Sequence, residues 1–154
     1  MSSHTLTRTQ RLPISLNEAW DFFSSPDNLQ KITPAKMNFR ILSNTGSGKM
    51  YPGQIITYKV SPVFGIPLFW MTEITHVKES EYFIDEQRFG PYALWHHEHR
   101  FKAINGGVEM TDIVSYKLPL GPLGSLAYHL FVKKEVEQIF NYRYKVLEER
   151  FGKL

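Results

Sequence analysis

Residues Thr5 to Leu12 alternate in character, with Leu6 set among threonines and followed by Arg8, Gln10 and Leu12. A period of two predicts a half-buried strand, and Pro13 stops it. Ser15-Leu16-Asn17-Glu18 is a capping-box pattern that opens a short helix through Trp20, Phe22 and Phe23. Ser25-Pro26-Asp27 starts a second turn or helix that reaches about Ile32. From Met37 to Leu118 strands alternate with turns, over residues 38–43, 54–60, 68–78, 82–89, 95–104 and 108–118, with Gly, Pro, Asn and Ser between them. Past Gly124 the period changes from 2 to 3.6. Leu126, Val136, Phe140, Tyr144, Leu147 and Phe151 then fall on one stripe of a helix from about Ser125 to Arg150, about 39 Å long at the standard rise.

The predicted order is strand, two short helices, six strands and a long helix. No internal repeat, low-complexity segment or linker interrupts it, so residues 1–154 are expected to form one domain. The class is α+β: a seven-stranded antiparallel sheet that must cover one long helix curls around it. Where the curvature exceeds what the helix side chains fill, a cavity remains, and its expected volume is about 300 to 1,000 Å³.

Asn105-Gly106, between two alternating strands, is the strongest short hairpin signal in the chain. A two-residue turn there pairs Ile104 with Gly107, and counting outwards sets Lys102 opposite Glu109, Phe101 opposite Met110, His99 opposite Asp112, His97 opposite Val114 and Trp95 opposite Tyr116. One face then collects Glu98, Arg100, Thr111, Ser115 and Lys117, which belongs in water. The other holds Trp95, His97, His99 and Phe101 beside Met110, Asp112, Val114 and Tyr116. By the same sorting Phe83, Asp85, Gln87 and Phe89 turn inward, as do Trp70, Thr72 and Ile74, and Ile56, Tyr58 and Val60. An aromatic inner face that also carries Asp85, Gln87, His97, His99 and Asp112 is unusual, because each polar group costs about 1–3 kcal/mol if buried without a partner.

Composition narrows the function. The chain is 42% hydrophobic and 14% aromatic, which suits a dense core or the wall of an apolar pocket. It has no cysteine, so disulfides, thiol nucleophiles and Cys-ligated zinc are excluded. The formal net charge of +3 comes from Lys and Arg scattered among Asp and Glu, without a run that grips phosphates, and nucleic acid is not an expected partner. The N-terminus shows no apolar signal region and no stretch approaches a membrane span, so the expectation is a cytoplasmic protein without stable membrane insertion.

Several blocks together carry a family resemblance: Trp20-Asp-Phe-Phe23, Pro26 with Asn28-Leu29, Ile32-Thr-Pro34, Asp85 with Gln87, Gly90-Pro-Tyr92, Trp95 with His97, His99 and Phe101, Asp112 with Tyr116, Pro119 with Gly121 to Gly124, and Ile139-Phe140 with Arg143. With the element order, they resemble the helix-grip fold of the START-like or SRPBCC superfamily, in particular its bacterial branch of ligand-binding SRPBCC domains, over the whole chain. The resemblance implies a cavity between sheet and long helix that holds a hydrophobic molecule. Some members are cyclases or dehydratases, some are carriers and some are partners of larger assemblies, so it implies architecture and leaves activity open.

The resulting expectation is binding of a small hydrophobic molecule that bears a polar group. Asp85, Gln87, His97, His99 and Asp112 form the polar patch, while Trp95, Phe101, Tyr116, Tyr58, Trp70 and Phe140 form the wall. Arg143, near the apolar stripe of the helix, either snorkels out or reaches a cavity carboxylate such as Asp85. A cyclase or dehydratase acting on a polyketide-like substrate through the His99 and Asp112 pair is the alternative, and a protein-interaction module using the groove is the third reading. His97 and His99 also match a metal-binding His-x-His pair that Asp112 or Asp85 would complete. Because cross-strand His and Asp groups satisfy each other, and because aromatics surround them, no metal or other cofactor is expected. His96 is expected to be solvated. Gly46-Ser-Gly48 and Gly121 to Gly124 read as turns, and the apolar stretches 63–69 and 119–124 as packed loops near the cavity mouth, with gating or brief membrane contact as the other readings.

Overall fold

The computed structural model describes residues 3–62 and 64–154, so Val63 of the apolar stretch 63–69 lies outside the described residues, as do Met1 and Ser2. Strand β1 (His4–Leu12) leads into helix α1 (Leu16–Phe23). The predicted capping box starts that helix: Ser15 Oγ accepts from the Glu18 amide at 3.2 Å, and the Ser15 amide donates to Glu18 Oε2 at 3.0 Å. Two 3-10 turns follow, Pro26–Ile32 and Ala35–Met37. The next strand, β2 (Arg40–Asn44), begins later than the sequence pattern suggests because Asn38 turns the backbone left-handed, with φ 47°.

Strands β3 (Ile55–Val60), β4 (Leu68–Lys78), β5 (Tyr82–Phe89), β6 (Leu94–Ile104) and β7 (Gly107–Lys117) continue the antiparallel meander. The sheet order is β1-β7-β6-β5-β4-β3-β2, so the first strand closes beside the last and the two helical turns carry the chain to the far edge. Register shifts between Ile41 and Ser43, between Met71 and Thr72, and between Ile74 and His76 bend the sheet, as extra unpaired residues do.

The β6–β7 hairpin has the register that Asn105-Gly106 predicts, from Ile104 opposite Gly107 to Trp95 opposite Tyr116. The inward faces of β3, β4, β6 and β7 match the alternation. On β5 the alternation fails at its end. It predicts Phe89 inside, but Phe89 is 62% exposed, because the register shift beside it pairs it with outward-facing Met71.

The long helix is not uniform. It begins earlier than Ser125, as α2 (Gly121–Ala127), passes through a π-helical turn at Tyr128–Val132, and continues as α3 (Lys133–Phe151). Gly121 to Gly124 are therefore the first helical turn rather than a loop, with Pro122 in a position that needs no amide donor. Gly124 is required there, since a Cβ would lie 2.0 Å from the Pro119 carbonyl oxygen. A π turn adds one residue and so rotates all that precedes it by about 100° relative to all that follows. This is why the predicted stripe breaks. Leu126 is exposed, as are Leu120, Leu123 and Leu130, whereas Val132, Val136, Phe140, Arg143 and Leu147 face the sheet. Tyr144, expected on the stripe, is partly exposed, and Arg143 takes the inward place beside Asp112. Exposed Phe64 packs edge-on against Phe131 of the π turn with ring centroids 5.6 Å apart, so the stretch 63–69 lies against the C-terminal helix at the surface. Among the described residues, no helix is long and apolar enough to cross a membrane.

Three buried clusters occupy the space between sheet and helices. Leu12, Trp20, Phe23, Phe83, Phe101 and Leu147 belong to one, Met37, Phe39, Tyr58, Trp70 and Ile74 to another, and Val114, Tyr116, Val136 and Phe140 to the third.

Candidate functional site

The clusters do not close on one another completely. Between them lies a cavity of about 160 Å³, smaller than the volume expected from sequence. The 3-10 turns and the left-handed Asn38 swing Met37 and Phe39 over it, which fills space that the curvature of the sheet would otherwise leave. The second cluster forms one wall, and Ile139 and Phe140 of α3 form the roof. Within the wall the Trp70 indole N–H donates to Thr72 Oγ1 at 3.1 Å, and the Tyr58 and Thr72 hydroxyls share a hydrogen bond at 2.8 Å. Burial pushes the Tyr58 phenol well above its ordinary range, with the Asp85 charge adding to the effect, so the phenol stays neutral. Thr33 and Phe39 line both this cavity and an open surface groove that includes Gln30, Arg40, Lys59 and Tyr142, so they are the barrier between cavity and solvent on that side.

The polar end is built by three neighbouring strands and the helix. The directly opposed residues are Asp85 with His97 and His99 with Asp112. The hydrogen bonds run diagonally instead: His97 Nε2 lies 2.9 Å from Asp112 Oδ1, and His99 Nε2 lies 2.6 Å from Asp85 Oδ2. Each carboxylate is thus bonded to the histidine one pleat along, within reach because inward side chains lean along the strand. His99 and Asp112 are opposed and close as expected, but the hydrogen bonds are made by the diagonal pairs. His99 Nδ1 is 3.2 Å from Asp112 Oδ1 but is poorly aligned, and it is a buried nitrogen without a hydrogen-bond partner. His97 Nδ1 is 3.6 Å from Asp85 Oδ2, beyond hydrogen-bond reach.

Arg143 neither snorkels out nor pairs with Asp85. Its side chain is buried, with one terminal nitrogen 3.3 Å from Asp112 Oδ1 and its Nε without a partner. The His97 and His99 rings lie 3.7 Å apart, and the His99 ring stacks on Phe83 at 4.1 Å.

Electrostatics sets the charge of the group. Burial pushes the Asp112 carboxyl up, but the Arg143 charge, the bond to His97 and the nearby His99 ring outweigh it and hold the pKa well below the usual range. Asp85 is likewise raised by burial and brought below its ordinary value by the His99 bond and by the charges of His97, His99 and Arg143. Burial and the neighbouring His99 push His97 down, whereas at His99 the carboxylates of Asp112 and Asp85 outweigh burial and push the ring up. Two carboxylates therefore face one guanidinium and two imidazoles, of which His99 holds its proton more tightly than His97.

Of the residues singled out from sequence, Asp85, Trp95, His97, His99, Tyr58, Trp70, Phe140 and Arg143 line the cavity. Gln87, Phe101, Asp112 and Tyr116 do not. Gln87 is occupied by the β5–β6 loop, donating to the Tyr92 carbonyl at 2.6 Å and accepting from the Tyr92 amide at 3.1 Å. Phe101 packs on Trp20 and Phe23, Tyr116 packs on Trp95 and Tyr92, and Asp112 stands behind the histidines. His96 is not simply solvated: its Nδ1 lies 2.9 Å from Glu86 on the outer face. Met37, Phe39, Met50 and Tyr92 line the cavity although the sequence pattern does not single them out for it. Met37, Met50 and Tyr92 lie on connections with no periodicity to follow, and Phe39 falls at the start of the predicted strand 38–43, which the left-handed Asn38 delays. Ile139 carries a usable signal, one turn before Arg143 on the predicted helix.

No protein-family model and no curated protein matches the sequence. Solved structures do. A START superfamily protein from Mycobacterium smegmatis aligns with a TM-score of 0.70 at 13% identity, over 96% of this chain and 97% of that one. Ara h 8.0201 aligns with a TM-score of 0.67 at 16% identity, over 97% and 98%. The protein TTHA0849 from Thermus thermophilus gives 0.70 at 14%, over 96% and 97%. The chain therefore has the START-like helix-grip fold, with a seven-stranded antiparallel sheet against a long C-terminal helix.

Proposed function

We propose that the protein binds a compact hydrophobic molecule carrying one polar group, in the cavity between sheet and C-terminal helix. The observation that carries this reading is the cavity itself, about 160 Å³ with a largely apolar wall of aromatic, methionine and aliphatic side chains and its ionisable groups gathered at Asp85, His97, His99 and Arg143. An apolar cavity of about 150 Å³ stays dry and takes up benzene, so this volume suits one ring or a short branched chain. The polar group of such a ligand meets acidic and basic side chains already paired with one another, which favours a neutral hydroxyl or carbonyl over a free carboxylate or amine. The START-like fold supports a ligand-holding role.

A cyclase or dehydratase acting on a polyketide-like molecule would draw on the same His99 ring. It needs room for a chain folded on itself, which this volume does not supply. The test is a thermal-shift series in EDTA with phenol, benzyl alcohol, indole, decanoate and a tetracyclic aromatic. Single-ring probes are expected to raise the melting temperature and the two larger ones to leave it unmoved. No shift with any single-ring probe would defeat the binding reading.

A further inference from the structure

Asp85, His97 and His99 each place one potential donor atom within 4.8 Å of the other two. The ring nitrogens nearest the Asp85 carboxylate are His99 Nε2 at 2.6 Å and His97 Nδ1 at 3.6 Å. Two histidines of β6 and one carboxylate of β5 thus bring donor atoms into one neighbourhood, and all three residues line the cavity. Donor atoms about 2.1 Å from a common ion are about 3.0–3.4 Å apart, and the two observed distances straddle that range.

The groups behind these three are arranged as a metal site needs. His97 Nε2 and His99 Nδ1, the ring nitrogens turned away from Asp85, lie 2.9 and 3.2 Å from the same Asp112 oxygen. Asp112 does not line the cavity, and Arg143 lies 3.3 Å from that oxygen. A ligating histidine is oriented by a carboxylate at its second nitrogen, and here one carboxylate serves two rings. His97 Nδ1 stands 3.6 Å from the Asp85 carboxylate, beyond hydrogen-bond reach, and so is available to an ion. The Arg143 charge is directed at Asp112 and offsets it, which leaves Asp85 as the anionic donor.

We propose that Asp85, His97 and His99 form a two-histidine, one-carboxylate site for a divalent first-row transition metal, open on its cavity side to an oxygen donor. Two imidazoles, one carboxylate and no thiolate select Fe²⁺, Co²⁺, Mn²⁺ or Zn²⁺ over softer ions. This departs from the expectation, drawn from sequence, that the histidines and carboxylates are fully occupied by one another. It deepens the cavity reading by giving the polar end an ion on which a ligand oxygen rests, but the site itself stands without that reading.

The experiment is titration of EDTA-stripped, tag-free protein with Co²⁺ alone, followed by visible absorption and by calorimetry. The expected result is a saturable absorption band at one ion per chain with a micromolar or tighter dissociation constant. The band is lost in His97→Ala and His99→Ala, weakened about ten- to a hundredfold in Asp112→Asn, and unchanged in His76→Ala and His96→Ala. Asp85→Asn and His99→Gln, which keep shape, are read beside them with far-UV circular dichroism as the check on folding. Where a variant does not fold, the wild-type Co²⁺ protein decides by proton NMR: shifted resonances from two imidazoles and from the Phe83 ring support the site. Absence of a saturable band, a band that survives in folded His97→Ala or His99→Ala protein, or shifted signals from other histidines overturns it. The metal is read without an organic probe and the probes are read in EDTA, so either proposal fails independently of the other.

Discussion

His97 lies across the ladder from Val114, yet its Nε2 is 2.9 Å from Asp112, the residue one pleat away on the same strand. Asp112 thereby becomes the anchor for both His97 and Arg143, and all three are buried or nearly so. Removing the carboxylate charge strands a buried guanidinium. Asp112→Asn is expected to destabilise the fold by about 3–5 kcal/mol, as breaking one side of a buried ion pair does. In Arg143→Met/Asp112→Asn much of that loss should return, because neither charge is left alone. Urea denaturation of the two single variants and the double variant measures the coupling, and strictly additive losses would contradict the assignment.

The two histidines make stability depend on pH in opposite directions. His99 is raised above its ordinary value of 6.5, so its contribution is complete below that pH and is lost as pH rises through the folded-state pKa. His97 is lowered from the same value, so protonation of the unfolded chain erodes stability as pH falls below 6.5. Between the lowered and the raised folded-state values the pair holds about one proton, while the unfolded chain loses its protons around pH 6.5. Their combined contribution therefore peaks near pH 6.5. Denaturation curves from about pH 5 to 8 in EDTA should show the peak in wild type and lose it in His97→Gln/His99→Gln. A difference between the two proteins that is flat with pH would contradict the opposed shifts.

Thr72 holds two buried groups of the cavity wall, the Tyr58 hydroxyl and the Trp70 indole N–H. Thr72→Val keeps the shape and leaves both without a partner, at a cost of about 1–3 kcal/mol for each group stranded. Adding Tyr58→Phe removes one of the stranded groups and should restore part of the loss. Additive destabilisation in Thr72→Val/Tyr58→Phe would show that the hydroxyl is satisfied elsewhere.

Gly124 allows the helix to start close against Pro119. Gly124→Ala should destabilise by more than about 1 kcal/mol through that backbone contact alone, on the scale of overpacking costs. Thermal melting of the variant measures this, and an unchanged midpoint would show that the helix start shifts freely.

The hairpin and the faces of its strands are legible in the sequence because Asn105-Gly106 permits one register and because a slip would bury Glu98 and Arg100. The composition of the polar end follows from that register. Its bonding does not, since alternation places Asp112 and His99 opposite each other but does not choose between opposed and diagonal partners. Phe89 and Leu126 defy the pattern for a related reason: a register shift beside one and a π turn after the other change its phase without a mark in local composition. Alternation alone makes Gln87 a cavity group, and nothing in the strand pattern marks the loop it latches. Cavity volume is out of reach because, of the two residues that narrow it, Met37 arrives from a connection without periodicity and Phe39 from the start of a strand that the left-handed Asn38 delays.

The central claim is that a small apolar molecule occupies the space under α3. Methyl-labelled methionine NMR tests it most directly, because Met37 and Met50 line the cavity, whereas buried Met110 does not. On titration with benzyl alcohol in EDTA, the Met37 and Met50 methyl resonances should shift together and saturate, with Met110 unmoved. Saturating shifts should disappear in Ile139→Trp, which fills the cavity from the helix side. Unmoved Met37 and Met50 resonances at saturating probe, or equal shifts at Met110, would contradict the account.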